Sequence, residues 1–252
     1  MPWNPDRYQQ FEKERSAPFE DLFGLVKIRS GLDVVDLGCG TGRLTRLLAD
    51  RLPGSRVLGI DASPEMLGRT AEVIRPGLVF ELDRIEQVAG SWDLVFSNAA
   101  IQWVDDHLSL LPRLLSLVRP GGQLVVQLPS NYSHPAHTSI LEVAAEPPFR
   151  QALGGWTHQS SVLSIEAYAE LLYRHGAVEM TVLEKVYPHV LADAAAVADW
   201  SSGTALVPYF ERLAPDLREK FMQRYRQRLL QVWPVGPVFF GFRRILFSAS
   251  MA

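Results

Sequence analysis

Residues 34–42 read VVDLGCGTG and decide the fold. The paired valines are typical of a buried parallel strand, and glycines at alternate positions permit positive φ and a close approach of the backbone to a ligand. Leu44, Leu47 and Leu48 follow at helical spacing. A strand that runs through a glycine-rich turn into a helix predicts a nucleotide-type cofactor site, but the turn alone does not separate one cofactor class from another.

Polar residues at the ends of the predicted strands narrow the choice of cofactor. Asp36 lies at the carboxyl end of the first strand, where open α/β sheets place their ligands. A carboxylate there disfavours a pyrophosphate but favours the ammonium group of S-adenosylmethionine. The second apolar run ends in Asp61, the usual position of an acid that accepts both ribose hydroxyls, and the third leads to Asp83, which could accept from the exocyclic amine of adenine. A fourth run ends at Asn98, beside the expected methyl-transfer face.

This order of motifs resembles the class I S-adenosylmethionine-dependent methyltransferases over roughly residues 30–130. The resemblance implies an α/β fold with a doubly wound, Rossmann-like sheet of seven strands and helical cap insertions. It also implies a cofactor site built from the glycine turn and the strand ends. The expected cofactor-binding residues are Asp36, Gly38, Cys39, Gly40, Gly42, Asp61, Ala62, Asp83, Asn98 and Trp103.

Composition limits the classes of protein to which this chain could belong. A chain of 252 residues that is 47% hydrophobic can bury a sizeable core, and the formal net charge of −3 argues against a general nucleic-acid binder. The sole cysteine, Cys39, allows neither an intramolecular disulfide nor a cysteine metal cluster. We expect a cytoplasmic protein without a membrane partner, because the sequence shows neither an export signal nor a run of membrane-spanning length.

Residues 1–252 are expected to form a single methyltransferase domain with insertions. Residues 1–29 form an N-terminal helical segment, residues 30–130 the cofactor-binding core, and residues 130–164 and 188–236 the cap insertions that bind substrate. The first insertion is interpreted as irregular. The second contains an amphipathic helix with Leu217, Phe221, Tyr225 and Leu229 at i, i+4 spacing, and its basic face is interpreted as solvated. Helices are also predicted at residues 18–28, 107–117 and 165–175, and strands at residues 92–98, 124–128, 178–182 and 239–247.

Two other kinds of site are disfavoured. His134, His137 and His158 lie within one stretch, but Pro135 interrupts them and no third ligand stands at a fixed spacing, so no metal site is predicted. No nucleophile-elbow pattern surrounds a serine, which disfavours hydrolysis.

A closer resemblance, to the trans-aconitate 2-methyltransferase family, extends over nearly the whole chain. The residues that carry it are Trp3-Asn4-Pro5, Tyr8, Phe11, Glu14-Arg15-Ser16, Pro18, Asn98 to Trp103, Pro129, Asn131, Asp199-Trp200, Thr204, Pro208, Arg224-Tyr225 and Arg244. The resemblance implies transfer of a methyl group from S-adenosylmethionine to a carboxylate of trans-aconitate or of a similar small polycarboxylate, with S-adenosylhomocysteine as the second product. Two positions depart from the family pattern, since Val207 stands where a basic residue is expected and Arg243 stands in place of a proline.

The implied substrate needs cations and hydrogen-bond donors rather than a general base. A carboxylate with an ordinary pKa near 4 is already ionised and nucleophilic at neutral pH. Arginine matches carboxylates through its forked donors, which makes Arg244 the first candidate. The other candidate substrate ligands are Arg15, Arg224, His137, Tyr132, Tyr225, Gln102 and Asn131.

Other functions stay open from the sequence alone. A methyltransferase for a phenol, an amine or a quinone precursor would need a base near Gln102 or His137. A protein that binds S-adenosylmethionine without turnover would keep the same cofactor motifs. A nicotinamide dehydrogenase is less favoured, because Asp36 precedes the turn that would hold its pyrophosphate. The sequence does not predict the oligomeric state.

Overall fold

The computed structural model describes residues 12–252, with side chains from residue 17 onward. These residues belong to two compact units, which are described separately. The sheet unit consists of Arg15–Ser130, Ser161–Lys185 and Arg243–Ala252, and the helical unit consists chiefly of Asn131–Ser160 and Val186–Phe242. Every helix in this described part of the chain is too short or too polar to cross a membrane.

The sheet has seven strands in the order β3-β2-β1-β4-β5-β7-β6. Their bounds are β1 (Asp33–Leu37), β2 (Arg56–Asp61), β3 (Leu78–Leu82), β4 (Trp92–Asn98), β5 (Val118–Pro129), β6 (Ala177–Leu191) and β7 (Val238–Met251). Strands β1 to β5 pair in parallel, and β7 runs antiparallel to β5. The order reverses between β1 and β4, and open α/β sheets bind ligands outside the carboxyl ends of the strands at such a point.

The helices are numbered along the chain. In the sheet unit lie most of α1 (Glu12–Phe23) and all of α2 (Arg43–Asp50), α3 (Pro64–Leu67), α4 (His107–Ser116) and α7 (Ile165–Arg174). The helical unit contains α5 (Pro135–Ala144), α6 (Phe149–Ala152), α8 (Ala194–Ser202), α9 (Val207–Arg212) and α10 (Pro215–Val232). Single 3-10 turns lie at Thr70–Glu72 and Ile101–Trp103.

Both faces of the sheet are covered. Successive strand residues point to opposite faces, and β1 divides accordingly: Val35 belongs to one buried cluster with Leu114 of α4, while Val34 belongs to another with Leu22 of α1 and Leu48 of α2. Burial on both sides is why these strands read as continuous apolar runs. The prediction of a doubly wound, Rossmann-like α/β fold is confirmed.

The helical unit has its own apolar core. The spacing that predicted an amphipathic helix is confirmed in α10, where Phe221, Tyr225 and Leu229 are buried. The basic face of α10 is solvent-exposed as predicted, and three of its arginines also form surface ion pairs with carboxylates of the same unit. The pairs are Arg224 with Glu146, Arg226 with Asp199 and Arg228 with Glu142.

Several predicted boundaries are wrong, for reasons of local chemistry. Pro18 lies inside α1 rather than at its start. Residues 130–164 are not irregular throughout, since they contain α5 and α6; α5 escaped prediction because it is capped by His134, whose Nδ1 accepts from the backbone N–H of Ala136, and not by Ser, Thr, Asp or Asn. The strand predicted at residues 178–182 is the first part of β6, which continues to Leu191.

Candidate functional site

The glycine turn that follows β1 contains two kinds of glycine. Gly38, Gly40 and Gly42 have φ of 77°, 57° and 75°, a region that disfavours other residues. A Cβ atom on Gly38 would lie 2.2 Å from the Cβ of Ala100, and one on Gly42 would lie 2.6 Å from the ring of Phe80. A Cβ on Gly40 would meet no atom within 4 Å. Packing therefore requires Gly38 and Gly42, whereas Gly40 borders open space.

Two acids lie beside this turn at neighbouring strand ends. At the end of β2, Oδ2 of Asp61 accepts from the backbone N–H of Gly40 at 2.8 Å and Oδ1 accepts from that of Ser63 at 2.9 Å. The backbone N–H of Asp83 donates to the carbonyl of Asp61 at 3.2 Å, so the position after β3 adjoins the end of β2. Ala62 is exposed next to Asp61. The two acids and the turn thus form one edge of the sheet unit.

Asp36 is buried in β1 beneath the turn, and its Oδ2 accepts from Oγ1 of Thr45 in α2 at 2.6 Å. Burial raises the pKa of Asp36 to about 7; the bond from Thr45 opposes this shift and the charge of Asp61 adds to it. Asp36 therefore ties β1 to α2, whereas Asp61 lies at the partly exposed edge. Cys39 is also buried, and burial raises the pKa of its thiol, which agrees with a packed side chain rather than a reactive one.

A chain of side-chain hydrogen bonds crosses β4, β5 and β7 at the same end of the sheet. Nε2 of Gln127 donates to Oδ1 of Asn98 at 2.8 Å, and Nη1 of Arg244 donates to Oε1 of Gln127 at 2.8 Å. Gln127 is 0% exposed and Arg244 is 8% exposed. The sequence predicted Asn98 and Arg244 but missed Gln127, although a glutamine within the apolar run of β5 was the available signal.

The 3-10 turn after β4 carries two more predicted residues. Gln102 is buried, and its Nε2 donates to the carbonyl of Ala99 at 2.6 Å. Its Oε1 is also buried and accepts no hydrogen bond within the described residues. Trp103 is 39% exposed. The turn follows Asn98, so the structure brings Gln102 and Trp103 to the carboxyl edge of the sheet with the other candidates.

The hydrogen-bond acceptors and the open space at this edge fit an adenosyl cofactor without phosphates. Asp61 and Asp83 supply acceptors for hydroxyl and amine hydrogens, and Gly40 leaves room for a ligand beside the backbone. Among the residues that the structure describes, no cluster of three or more His, Cys, Asp or Glu could hold a metal ion.

Two substrate candidates of the helical unit have partners there. Nε and Nη2 of Arg224 donate to Glu146, which lowers the pKa of that carboxyl. Tyr225 is buried, and its hydroxyl donates to the carbonyl of Ala136 at 2.8 Å and lies 3.0 Å from Oγ of Ser201. These contacts give both residues a role in holding α10 in the helical unit.

The remaining candidate substrate ligands are three residues of the helical unit and Arg15. In the helical unit, Asn131 is buried and the ring centroid of Tyr132 lies 5.6 Å from that of His137. Burial, with the nearby His134 and His158, lowers the pKa of His137 to about 4. His137 is therefore a neutral imidazole at pH 7, and as a substrate ligand it would act through a hydrogen bond and not as a cation. The side chain of Arg15 lies outside the described residues.

Comparisons with known proteins show which family this chain resembles. A family model described as a methyltransferase domain matches residues 8–178. The trans-aconitate 2-methyltransferase of Deinococcus radiodurans is 46% identical, over 99% of this chain and 98% of its own. That of Variovorax paradoxus is 39% identical, over 99% of this chain and 98% of its own. Phosphoethanolamine N-methyltransferase 2 of Haemonchus contortus, solved with phosphomonomethylethanolamine and S-adenosylhomocysteine, is similar with a TM-score of 0.57 and 15% identity, over 94% of this chain and 52% of that one. At that identity the structural likeness concerns the fold.

Proposed function

We propose that this chain, which belongs to the trans-aconitate 2-methyltransferase family, transfers the methyl group of S-adenosylmethionine to a carboxylate of trans-aconitate. The products are a monomethyl ester and S-adenosylhomocysteine. The observation that carries the choice of substrate, beyond family membership, is the buried guanidinium of Arg244 opposite the end of β5. A buried arginine is an effective ligand for a carboxylate, because the bond is charge-assisted and shielded from water.

The cofactor-binding residues in this proposal lie around the glycine turn. Asp61 would accept the ribose hydroxyls and Asp83 the adenine amine, while Ala62, Asn98 and Trp103 would complete the edge. The turn beneath the cofactor would consist of Gly38, Cys39, Gly40 and Gly42. The ammonium group of the bound cofactor would favour the ionised form of the Asp36 carboxyl. S-adenosylmethionine, when bound, supplies an activated methyl group on sulfur.

The chain itself has little proton chemistry to do. The attacking carboxylate is ionised at neutral pH, so no residue need act as a general base. The task of the protein is to hold a carboxylate oxygen in line with the methyl carbon and to exclude water. Arg244 would hold the substrate, and Gln102, whose buried Oε1 and amide lie on the turn after β4, is a candidate to orient it.

Other parts of the proposal extend beyond the sheet unit. We keep residues 30–130 as the cofactor-binding core and residues 130–164 and 188–236 as the substrate-binding insertions. Within the insertions the candidate substrate ligands are Asn131, Tyr132, neutral His137, Arg224 and Tyr225. The polar groups of Tyr132, Arg224 and Tyr225 have partners inside the helical unit. Trans-aconitate as the partner, the absence of a nucleic-acid partner and a cytoplasmic location stay predictions.

The proposal is tested with purified protein, labelled S-adenosylmethionine and a panel of trans-aconitate, cis-aconitate, citrate, isocitrate and simple phenols. Preferential formation of a base-labile methyl ester of trans-aconitate is expected. A base-stable product from a phenol would instead support the alternative small-molecule methyltransferase, and cofactor binding without turnover on any acceptor would contradict both.

The role of Arg244 is tested separately by Arg244→Ala and Arg244→Lys. Loss of a charge-assisted bond should raise the KM for trans-aconitate about tenfold to a hundredfold in the alanine variant, while cofactor affinity stays the same. Arg243→Ala is the matched control, because Arg243 is the adjacent arginine on β7 and its Nη1 lies 3.9 Å from Glu184. An unchanged KM in Arg244→Ala would remove Arg244 from the site.

A further inference from the structure

We infer that Gln127 is a positioning residue, which holds the guanidinium of Arg244 in place for the substrate carboxylate. Its second hydrogen bond also sets the orientation of the Asn98 amide at the carboxyl edge of the sheet. This inference rests on the proposed function and adds a residue to it. Gln127 lies on β5 between the strands that carry the other two residues. In the register of the sheet it stands opposite Asn98 on β4 and opposite Leu246 on β7, two residues from Arg244.

The orientation of the Gln127 amide follows from the chemistry of arginine. A guanidinium has only donors, so the atom of Gln127 that meets Nη1 of Arg244 at 2.8 Å must be the carbonyl oxygen. The NH₂ group of Gln127 then faces Asn98, and the atom of Asn98 that meets it at 2.8 Å must be Oδ1. The Nδ2 hydrogens of Asn98 are consequently directed away from Gln127. One arginine thus determines the orientation of two amides.

The chemistry of the link suits a carboxylate substrate. An amide oxygen orients a guanidinium without cancelling its positive charge, whereas a carboxylate at the same position would neutralise it. Because Gln127 is fully buried, water cannot replace its two hydrogen bonds. An apolar side chain at position 127 would therefore leave the guanidinium of Arg244 and Oδ1 of Asn98 without this support.

The same strand provides a matched control. Gln123 is also a buried glutamine of β5 and points to the same face of the sheet, four residues from Gln127. Its Nε2 donates to the carbonyl of Leu25 at 2.8 Å, and its Oε1 accepts from the backbone N–H of Lys27 at 3.0 Å. It therefore anchors the segment after α1 and makes no contact with Arg244 or Asn98.

The experiment compares Gln127→Met and Gln123→Met with the unaltered protein. Calorimetry measures binding of trans-aconitate to the protein saturated with S-adenosylhomocysteine, steady-state kinetics give KM and kcat, and chemical denaturation gives the stability of each variant. Gln127→Met should raise the dissociation constant and the KM for trans-aconitate about tenfold or more. Gln123→Met should lower the free energy of unfolding about as much as Gln127→Met does. Its dissociation constant and its KM for trans-aconitate should both stay within about twofold of those of the unaltered protein.

A double-mutant cycle with Arg244→Ala tests whether Gln127 acts through the arginine. In the Arg244→Ala background, Gln127→Met should produce no further rise in the dissociation constant for trans-aconitate. Gln127→Glu keeps an acceptor of the same shape and serves where the methionine variant does not fold; its carboxylate should also weaken trans-aconitate binding about tenfold by neutralising Arg244.

The outcomes separate this inference from the proposed function. Unaltered protein that binds no trans-aconitate would overturn the proposed function, and with it the role of Gln127. Unaltered protein that binds and methylates trans-aconitate, with unchanged affinity in Gln127→Met or Gln127→Glu, would overturn the role of Gln127 alone. Equal effects of Gln127→Met with and without Arg244 would also overturn it, because the glutamine would then act independently of the arginine.

Discussion

Oδ2 of Asp61 accepts a hydrogen bond of 2.8 Å from the backbone N–H of Gly40. This bond joins the end of β2 to the glycine turn that follows β1, at the residue whose missing side chain leaves open space. The other oxygen of Asp61 holds the backbone N–H of Ser63 at the start of α3. A ligand that engages Asp61 is therefore in contact with a carboxylate that also determines the position of the turn.

Replacing Asp61 by alanine should weaken binding of S-adenosylmethionine about tenfold to a hundredfold, because it removes the acceptor for the ribose and releases the backbone of Gly40. Calorimetry of cofactor binding is the direct measurement. Glu72→Ala, an exposed carboxylate on a 3-10 turn of the same unit, is the control and should bind normally. Wild-type affinity in Asp61→Ala would show that the cofactor lies elsewhere.

Gly40→Ala should chiefly impair cofactor binding and Gly38→Ala should chiefly impair stability, although both positions have positive φ. Gly40→Ala should fold with a loss of about 1 kcal/mol, because its Cβ meets no neighbour, and should lose cofactor affinity as the methyl group fills the space for a ligand. Gly38→Ala should lower the free energy of unfolding much more, since its Cβ would meet Ala100 at 2.2 Å. Thermal denaturation with and without cofactor distinguishes the two; equal destabilisation would refute the assignment.

The fold, and the grouping of the candidate cofactor-binding residues at one edge of the sheet, could be predicted from the sequence because their signals are local. A strand buried on both faces must be apolar, and a turn with positive φ must use glycine, so residues 34–42 report both features directly. Asp61 and Asp83 follow strands along the chain, and parallel strands bring their carboxyl ends to one edge.

Partnerships between distant residues could not be predicted in the same way. Arg224 and Tyr225 were candidate substrate ligands on residue type alone, and only the packing of α10 reveals Glu146 and Ala136 as their partners. Gln127 was overlooked because its immediate neighbours Leu124–Val126 and Leu128 are apolar, and its importance comes from Arg244, 117 residues away. Periodicity indicates which face of a helix is buried, but the hydrogen-bond partners of a side chain depend on tertiary contacts that periodicity does not encode.

Asp36 should make stability fall as pH rises. Its pKa is about 7 in the folded protein and about 4 in an unfolded chain. The folded state therefore binds a proton that the unfolded state has lost, so the contribution is complete below pH 4 and disappears as the pH passes 7. The full difference is about 4 kcal/mol. Asp36→Asn keeps an acceptor for Thr45 and does not titrate.

The free energy of unfolding is measured by urea denaturation of cofactor-free protein at pH 5 and pH 8. Between these two pH values, wild type should lose stability relative to Asp36→Asn. Asp105→Asn, at an exposed aspartate of the same unit, is the matched control for the change of residue type. A difference between Asp36→Asn and wild type that is constant across this range would show that Asp36 is ionised throughout.

His137 should act in the opposite direction, as a source of acid sensitivity. Its pKa is about 4 in the folded protein, against about 6.5 in an unfolded chain. Nδ1 is buried and has no hydrogen-bond partner within the described residues, and the ring lies near His134 and His158, so protonation of His137 is disfavoured. The unfolded state takes up a proton first as the pH falls below 6.5, and stability is lost from there down to pH 4.

Between pH 7.5 and pH 5 the loss due to His137 should be about 2 kcal/mol, and His137→Gln should remove it. His175→Gln is the matched control, because His175 is an exposed histidine that follows α7. Urea denaturation at the two pH values gives the comparison, and NMR titration of the ring of His137 reports its pKa directly. A ring that titrates near pH 6.5 would show that burial does not disfavour protonation of His137, and the predicted acid sensitivity would be wrong.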